Sequence, residues 1–364
     1  MKADIAIVGA GMAGASLAAE VAPHASVLLI EAETQPGYHS TGRSAAFWSE
    51  SYGGPLIQPL TSASGGWLAE RGFLTPRGAL HIADASGGTA LDALWSEFDG
   101  SAVAMQRLDR DAVEAIIPGL KSGWNEAVLE ASCTDIDVAG LHAACLKTAR
   151  ANGARLVLNA RVEACSRSGG TWLLGTRAGE IEADVVVNAA GAWADPVAAL
   201  VGAVPLGIQP YRRTIVQLRT NPPAPAELPL VIDALGRFYF KPEAGGRLWL
   251  SPHDETACPA GDCAPDEYDV ALAIDRLQQV VGWQVERVEH SWAGLRSFAP
   301  DRLPVYGFDG GVESLFWCAG QGGFGIQTAP AAAKLAAALL LGIAPDPMVA
   351  AIDPSPYLAA RFTN

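Results

Sequence analysis

The sequence predicts an α/β protein carrying an inserted antiparallel β region, and three observations predict it. A strand, glycine turn, helix and second strand occupy the first 31 residues; a β-branched run far downstream ends in small residues; and after Pro205 the short buried strands give way to long alternating ones. Ile5-Ala6-Ile7-Val8 leads into Gly9-Ala10-Gly11-Met12-Ala13-Gly14, an Ala-rich helix runs to about Val21, and Ser26 to Ile30 closes on Glu31. Gly9 allows the tight turn, Gly11 lets backbone approach a pyrophosphate, and Gly14 lets helix and strand pack closely. The phosphates belong at the helix N-terminus, over Met12 and Ala13, where amides lack partners and the dipole is positive. Glu31, 22 positions after Gly9, is placed to accept hydrogen bonds from a ribose hydroxyl.

The dinucleotide is expected to be FAD, bound non-covalently. The glycine turn lies close to Met1, and Asp184-Val185-Val186-Val187-Asn188-Ala189-Ala190-Gly191-Ala192-Trp193 reads as a buried parallel strand whose C-terminal end presses on a ligand. Between Glu31 and that run, Gly37-Tyr-His-Ser-Thr-Gly-Arg-Ser-Ala-Ala46 suits a loop wrapping the pyrophosphate and ribityl chain, with Arg43 as phosphate partner. Residues 51–130 are rich in Gly, Pro and Trp, with short apolar pieces such as Gly78 to Ile82. Residues 139–151 place Leu141, Cys145 and Thr148 on one helical face, and Gly153 ends the helix. Arg155-Leu-Val-Leu follows as a strand; Thr171-Trp-Leu-Leu and Glu180 to Val185 read as a small meander feeding the 184–189 strand.

Beyond Pro205, strands are expected at Arg213 to Leu218, Arg237 to Lys241 and Arg247 to Leu250, with Gly245-Gly246 turning between the last two. Asp269 to Val281 reads as a helix and Val285 to Phe298 as extended. Glycine-rich sequence returns at Phe316 to Thr328, ahead of an Ala/Leu helix. The predicted fold is thus a Rossmann-like FAD-binding domain (GR2-type) from residues 1–50, 131–205 and 305–364, with a substrate domain from 51–130 and 206–304 built on an antiparallel sheet. Gly320-Gln-Gly-Gly-Phe-Gly325, entering the helix, presents amides suited to charge developing on the N1–C2=O side of a reduced flavin. The cofactor contacts expected are Gly9, Gly11, Met12, Ala13, Gly14, Glu31, Ser40, Arg43, Ser44, Ala45, Ala46, Val162, Ala190, Gly191, Trp193, Arg296, Gly322, Gly323, Phe324, Gly325, Ile326 and Gln327.

Composition narrows the partners. A net charge of −14 argues against nucleic acid and anionic lipid. The longest apolar stretch, Leu335 to Ala344, is about half a membrane span. Six cysteines without a CxxC pair fit a reduced, cytoplasmic chain, with peripheral association at an inner membrane as the alternative. His253, Cys258 and Cys263 share a Pro/Asp-rich loop with no zinc spacing, so no metal is expected and the loop reads as polar and mobile. Cys318 reads as a core residue and His39 as a structural one.

Arg213, Tyr239 and Arg296 come from three strands of the substrate sheet and Tyr52 from the early loop. An arginine fork with tyrosine hydroxyls suits a substrate carboxylate, although each arginine alone reads more readily as a solvated strand residue. Tyr38 to Ala46 (YHSTGRSAA), Asn188 to Trp193 (NAAGAW), Trp292 to Phe298 (WAGLRSF) and Gln321 to Thr328 (QGGFGIQT) resemble the D-amino-acid oxidase superfamily of FAD enzymes, in particular its bacterial D-arginine dehydrogenase group. The resemblance covers residues of about 3–340. It implies that Arg213 and Arg296 hold the substrate carboxylate, that Tyr239 bonds to it, that Tyr52 lies over the substrate, and that Gly323 meets substrate and flavin. Two positions depart from the group: Phe47 replaces a histidine and Ala79 a glutamate that pairs with a guanidinium. An unpaired buried guanidinium costs several kcal/mol, so the pocket of Phe47, Trp48, Ala79 and Gly323 favours neutral or hydrophobic D-amino acids.

The activity implied is oxidative deamination by hydride transfer from Cα to flavin N5, giving an imino acid that hydrolyses to a 2-oxo acid. Glycine, sarcosine, another secondary amine or a 2-hydroxy acid are alternative substrates, and a flavoprotein without catalysis is a third reading. The electron acceptor, quinone or oxygen, is not encoded in any motif. Either a monomer or a homodimer is compatible with the sequence.

Overall fold

The computed structural model describes residues 1–362. An eight-stranded sheet runs in the order Val162–Ser168, Thr171–Thr176, Gly179–Asn188, Lys2–Val8, Val27–Ile30, Arg155–Val157, with Leu315–Ala319 beside Gly179–Asn188 and Val305–Phe308 beyond it. The first strand is parallel to both neighbours, Ile7 opposing Val187 on one side and Leu29 on the other. Helices Met12–Val21, Val138–Ala151 and Ala329–Leu341 cover one face, burying Ile7, Leu17, Phe316 and Leu335. Trp172, Val186 and Trp317 pack on the other face beneath helix Ala194–Leu200. Continuous Val/Ile/Leu runs suit strands buried on both faces.

Two glycines hold these layers at their observed spacing. Gly9 has φ +105°, and a Cβ there would lie 2.4 Å from the Ala189 carbonyl oxygen. At Gly14 a Cβ would lie 1.9 Å from the Gly9 oxygen and 3.3 Å from Ile7 Cγ2. The C-terminal ends of strands Lys2–Val8 and Gly179–Asn188 therefore meet the start of the first helix at backbone distance.

The second sheet has ten strands and is built from residues between 79 and 130 and between 209 and 298, plus Gln321–Gly322. Its spine is the long antiparallel pair Gln209–Asn221 and Gln284–Phe298, with Arg213 opposite Gly294 and Ile215 opposite Trp292. Gly245 and Gly246, both with positive φ, turn between Tyr239–Glu243 and Arg247–Ser251. Strand Gln321–Gly322 pairs with Ser297 and Phe298. The glycine-rich segment thus carries the chain from the second sheet into helix Ala329–Leu341 beside the first.

Four local expectations are corrected. The second sheet is not antiparallel throughout: Leu230–Asp233 runs parallel to Ala79–Ala83, whose other neighbour, Glu126–Glu130, is antiparallel. Glu180 to Val185 is no separate meander strand but part of the single strand Gly179–Asn188. Thr148 is exposed, and the buried face of its helix is Leu141, His142, Cys145 and Ala149. Residues 51–130 hold three helices, Gln58–Glu70, Gly88–Phe98 and Arg110–Ile116. Glycines hide the helical period of the first; Gly65 sits mid-helix because a Cβ there would lie 2.6 Å from Trp48 Cζ2. Among the described residues no helix is long and apolar enough to cross a membrane.

Gly14→Ala is expected to force Gly9 off the helix, costing roughly 2 kcal/mol by overpacking and reducing flavin content. Thermal unfolding and the flavin-to-protein absorbance ratio of the purified protein check both.

Candidate active site

One cavity of about 570 Å³ runs from the glycine turn to the arginines of the second sheet. At its first end the wall is Gly9, Gly11, Met12, Ala13 and Glu31, followed by Ser40, Arg43, Ser44, Ala45 and Ala46, and by Val162, Ala190, Gly191 and Trp193. Glu31 Oε2 accepts from the Ala10 amide at 3.1 Å and Oε1 from the Glu33 amide at 3.0 Å. This fixes the carboxylate across the glycine turn. Thr41 Oγ1 accepts from the Met12 amide at 2.9 Å, and the Ala13 and Gly14 amides of the first turn have no intrahelical acceptor. An acid, a helix N-terminus and glycines that leave no room for a Cβ are the donor and acceptor set a dinucleotide requires.

At the second end the wall is Phe47, Tyr52, Arg213, Tyr239, Arg296 and Gly323. Arg213 is only 7% exposed; its Nε donates to the Asp254 carbonyl at 2.9 Å and its Nη2 to Glu255 Oε1 at 3.2 Å. Arg296 Nη1 donates to the same Glu255 oxygen at 3.1 Å, and its Nη2 donates to the Tyr52 hydroxyl. Arg302 binds Glu255 through both carboxylate oxygens at 3.0 Å. Three guanidiniums thus share one carboxylate, which is not itself part of the cavity wall. Burial, and then the neighbouring charge of Arg296, push the Arg213 guanidinium below its usual value. A desolvated pair of cations with surplus positive charge is a site that gains from a small anion.

Gly323 is where the chain passes closest to these groups. A Cβ there would lie 1.7 Å from Arg296 Nη2 and 2.5 Å from the Tyr52 oxygen. Tyr52 is held from two further sides. Gln327 Nε2 donates to the Tyr52 carbonyl and to Thr61 Oγ1, both at 3.0 Å, while its Oε1 accepts from the Ser49 amide at 3.2 Å. The fully buried Glu130 accepts from Ser49 Oγ at 2.7 Å, the Glu50 amide at 2.7 Å and Ser51 Oγ at 2.5 Å. Ser49 and Ser51 both line the cavity.

Several sequence-predicted residues lie elsewhere. Ala79 is fully buried behind the wall, packed with Ile215 and Tyr239; on its strand the residue lining the cavity is His81. A carboxyl does stand beside that strand, because Glu130 pairs in register with Ala79, but its oxygens are occupied by Ser49, Glu50 and Ser51. Gly14 and Phe324 are not in the wall: Gly14 packs on Gly9, and the Phe324 ring lies edge-on to Tyr52 at 5.0 Å. Arg43 lines the cavity, yet its Nη1 is 2.5 Å from Asp262 and donates to the Ala293 carbonyl, so it clamps the loop after Ser251 to the wall. That clamp, with Arg212 on Asp254 at 3.3 Å, anchors the loop read as mobile. Cys318 is core, where burial pushes its thiol up to about 12, and His39 contacts Glu33 at 3.1 Å and the Trp193 ring.

Sequence reasoning missed His81 and His253 as wall residues, as well as Glu130 and Glu255. His81 was findable only from strand alternation with a known register. Burial pushes its imidazole down against the opposing charge of Glu130, and its Nε2 is buried without a hydrogen-bond partner. His253 had no signal, since it enters the cavity on a loop residue with φ +58°.

Residues 4–339 match the family described as FAD dependent oxidoreductase (DAO). The chain belongs to this family. FAD is accordingly its cofactor, and the glycine turn, Glu31 and the first helix are the groups that fit its dinucleotide part. Among its relatives, the glycine oxidase of Pseudomonas aeruginosa is 27% identical over 390 residues, covering 99% of both chains. Bovine FAD-dependent oxidoreductase domain-containing protein 1 is 31% identical over 199 residues, which is 50% of this chain and 40% of that protein. The chain therefore spans well under half of that relative's length. The crystal structure of glycine oxidase from Geobacillus kaustophilus superposes with a TM-score of 0.85 at 25% identity, covering 99% of both chains.

Gly323→Ala is expected to displace Arg296 and Tyr52. Holoprotein should keep its flavin but bind acetate at least about tenfold more weakly, the scale of losing one charge-assisted hydrogen bond. Titration of the flavin absorbance with acetate measures it.

Proposed function

We propose that this protein oxidises the amine of a small amino acid bearing a free carboxylate, glycine or an N-substituted glycine such as sarcosine, to the corresponding imine, which water hydrolyses. The observation that carries this reading is the fork of Arg213 and Arg296, short of negative charge, in the same cavity as the dinucleotide turn. Bound FAD supplies the hydride acceptor. The chain's own part is to fix the carboxylate on two guanidiniums and to hold Tyr52 and Tyr239 beside it. Burial raises the Tyr239 phenol above its ordinary value, so it is a neutral hydroxyl at physiological pH. Orientation of Cα by a bidentate anchor is where a protein gains most in such a reaction. Two relatives named as glycine oxidases, each aligned over 99% of its length, support the small substrate.

A second reading, neutral D-amino acids, is supported by Phe47, Ile215 and Ile232 in the wall and by the YHSTGRSAA and WAGLRSF segments. A cationic side chain is disfavoured under either reading. The carboxylates lining the cavity among the described residues are Glu31 and Glu33, both at the nucleotide end.

Anaerobic mixing of holoprotein with glycine, sarcosine, D-alanine, D-phenylalanine, D-arginine and L-alanine separates these readings. Rapid flavin bleaching by glycine or sarcosine is expected; bleaching only by larger D-amino acids would establish the second reading, and none by any amino acid would refute both. Arg296→Ala should raise KM and lower kcat/KM by about two orders of magnitude, as for truncating one partner of a desolvated charge pair.

A further inference from the structure

The turn from Ser251 to His253 brings an imidazole to the carboxylate end of the cavity, where it lines the wall with Arg213, Tyr239 and Arg296. Its Nδ1 lies 2.7 Å from the Gly236 carbonyl oxygen. A carbonyl only accepts, so Nδ1 carries the proton and the neutral ring is left with a lone pair at Nε2. Burial, then the charges of Arg213 and Arg296, hold the imidazole down to about 3, so the ring is neutral at physiological pH. It packs edge-on against Tyr239 with ring centroids 5.5 Å apart. The left-handed backbone at His253, φ +58°, is held in place by its own amide donating to Ser251 Oγ at 3.1 Å and by Arg276 donating to the Pro252 carbonyl at 2.9 Å.

The chemistry of the neighbours gives this lone pair its meaning. Arg213 and Arg296 are donors only, and the Tyr52 hydroxyl oxygen already accepts from Arg296. An amino acid presents its amino group one carbon from the carboxylate, so a cradle for the carboxylate needs an acceptor beside it. We propose that His253 is a substrate-binding residue whose Nε2 accepts a hydrogen bond from the substrate's amino group while Arg213 and Arg296 hold the carboxylate, an assignment that rests on the carboxylate-cradle reading. The group at this position selects ligands with a donor on Cα and turns the substrate about its anchored carboxylate.

Two ligands of matched charge and nearly equal shape test it: 2-hydroxyisobutyrate, which has a donor on Cα, and pivalate, which has a methyl group there. Neither has a hydrogen on Cα, so neither is oxidised. In wild-type holoprotein, flavin-absorbance titration should show the hydroxy acid binding roughly 3- to 10-fold more tightly, the scale of one net hydrogen bond. His253→Asn keeps a residue that tolerates the left-handed backbone but shortens its reach; there the preference should vanish while pivalate affinity changes less than about twofold. His253→Gln, which retains a longer acceptor, should recover part of the preference. Equal affinities in wild type overturn the proposal without any variant having to fold. Persistence of the preference in His253→Asn overturns it while leaving the cradle standing. Failure of both ligands to bind wild type removes the cradle itself.

Discussion

A shortage of negative charge around Arg213 and Arg296 is the constraint on which the site depends. Two guanidiniums near one another in a desolvated wall repel, and the one carboxylate they share, Glu255, is also held by Arg302. Like charges in low dielectric cost energy that only an anion can relieve. Glu255 approaches from outside the cavity, so it steadies the fork without occupying the space a ligand needs. The neighbourhood is arranged to keep the fork in place. Asp254 and Glu255 bind it from the loop, Tyr52 accepts from Arg296, and Gly323 leaves the space through which Arg296 reaches Tyr52.

The two sheets are joined at this point as well. Gln321–Gly322 completes the second sheet, and helix Ala329–Leu341 packs on the first, so six residues between them carry the wall from one to the other. Gln327 sits in that connection and ties it to the Ser49–Tyr52 loop, whose opposite side is pinned by Glu130. Glu130 acts through this loop: a buried carboxyl with three close donors makes the loop rigid, and the loop places Tyr52. Rigid support behind a binding group is what preserves its geometry when the ligand arrives.

How far the sequence discloses this depends on whether a requirement is local. The nucleotide half was legible because Gly14 and Glu31 are set by contacts within one strand–turn–helix–strand unit, although Gly9 also answers to the distant Ala189 carbonyl. The arginine fork was legible as residue types on strands, and as a pair through the WAGLRSF and Arg213 segments, but not its shared counterion. Glu255 and His253 come from a loop whose course is set by distant clamps, Arg43 on Asp262 and Arg212 on Asp254. Ala79 was misplaced for a related reason. Its strand joins the second sheet in parallel beside Leu230–Asp233, and that register decides that His81 lines the cavity. Helix Gln58–Glu70 was hidden by glycines such as Gly65, whose use is tertiary packing on Trp48.

The role proposed for the fork of Arg213 and Arg296 is to recognise a substrate carboxylate. The most direct measurement compares the anaerobic rate of flavin reduction by glycine or sarcosine with that by its methyl ester. The ester keeps the amine and the Cα hydrogens and loses only the anion. Reduction by the acid with at most a trace by the ester is the predicted result. Equal rates would exclude that role, because the guanidinium fork would then have no part in binding the molecule that is oxidised.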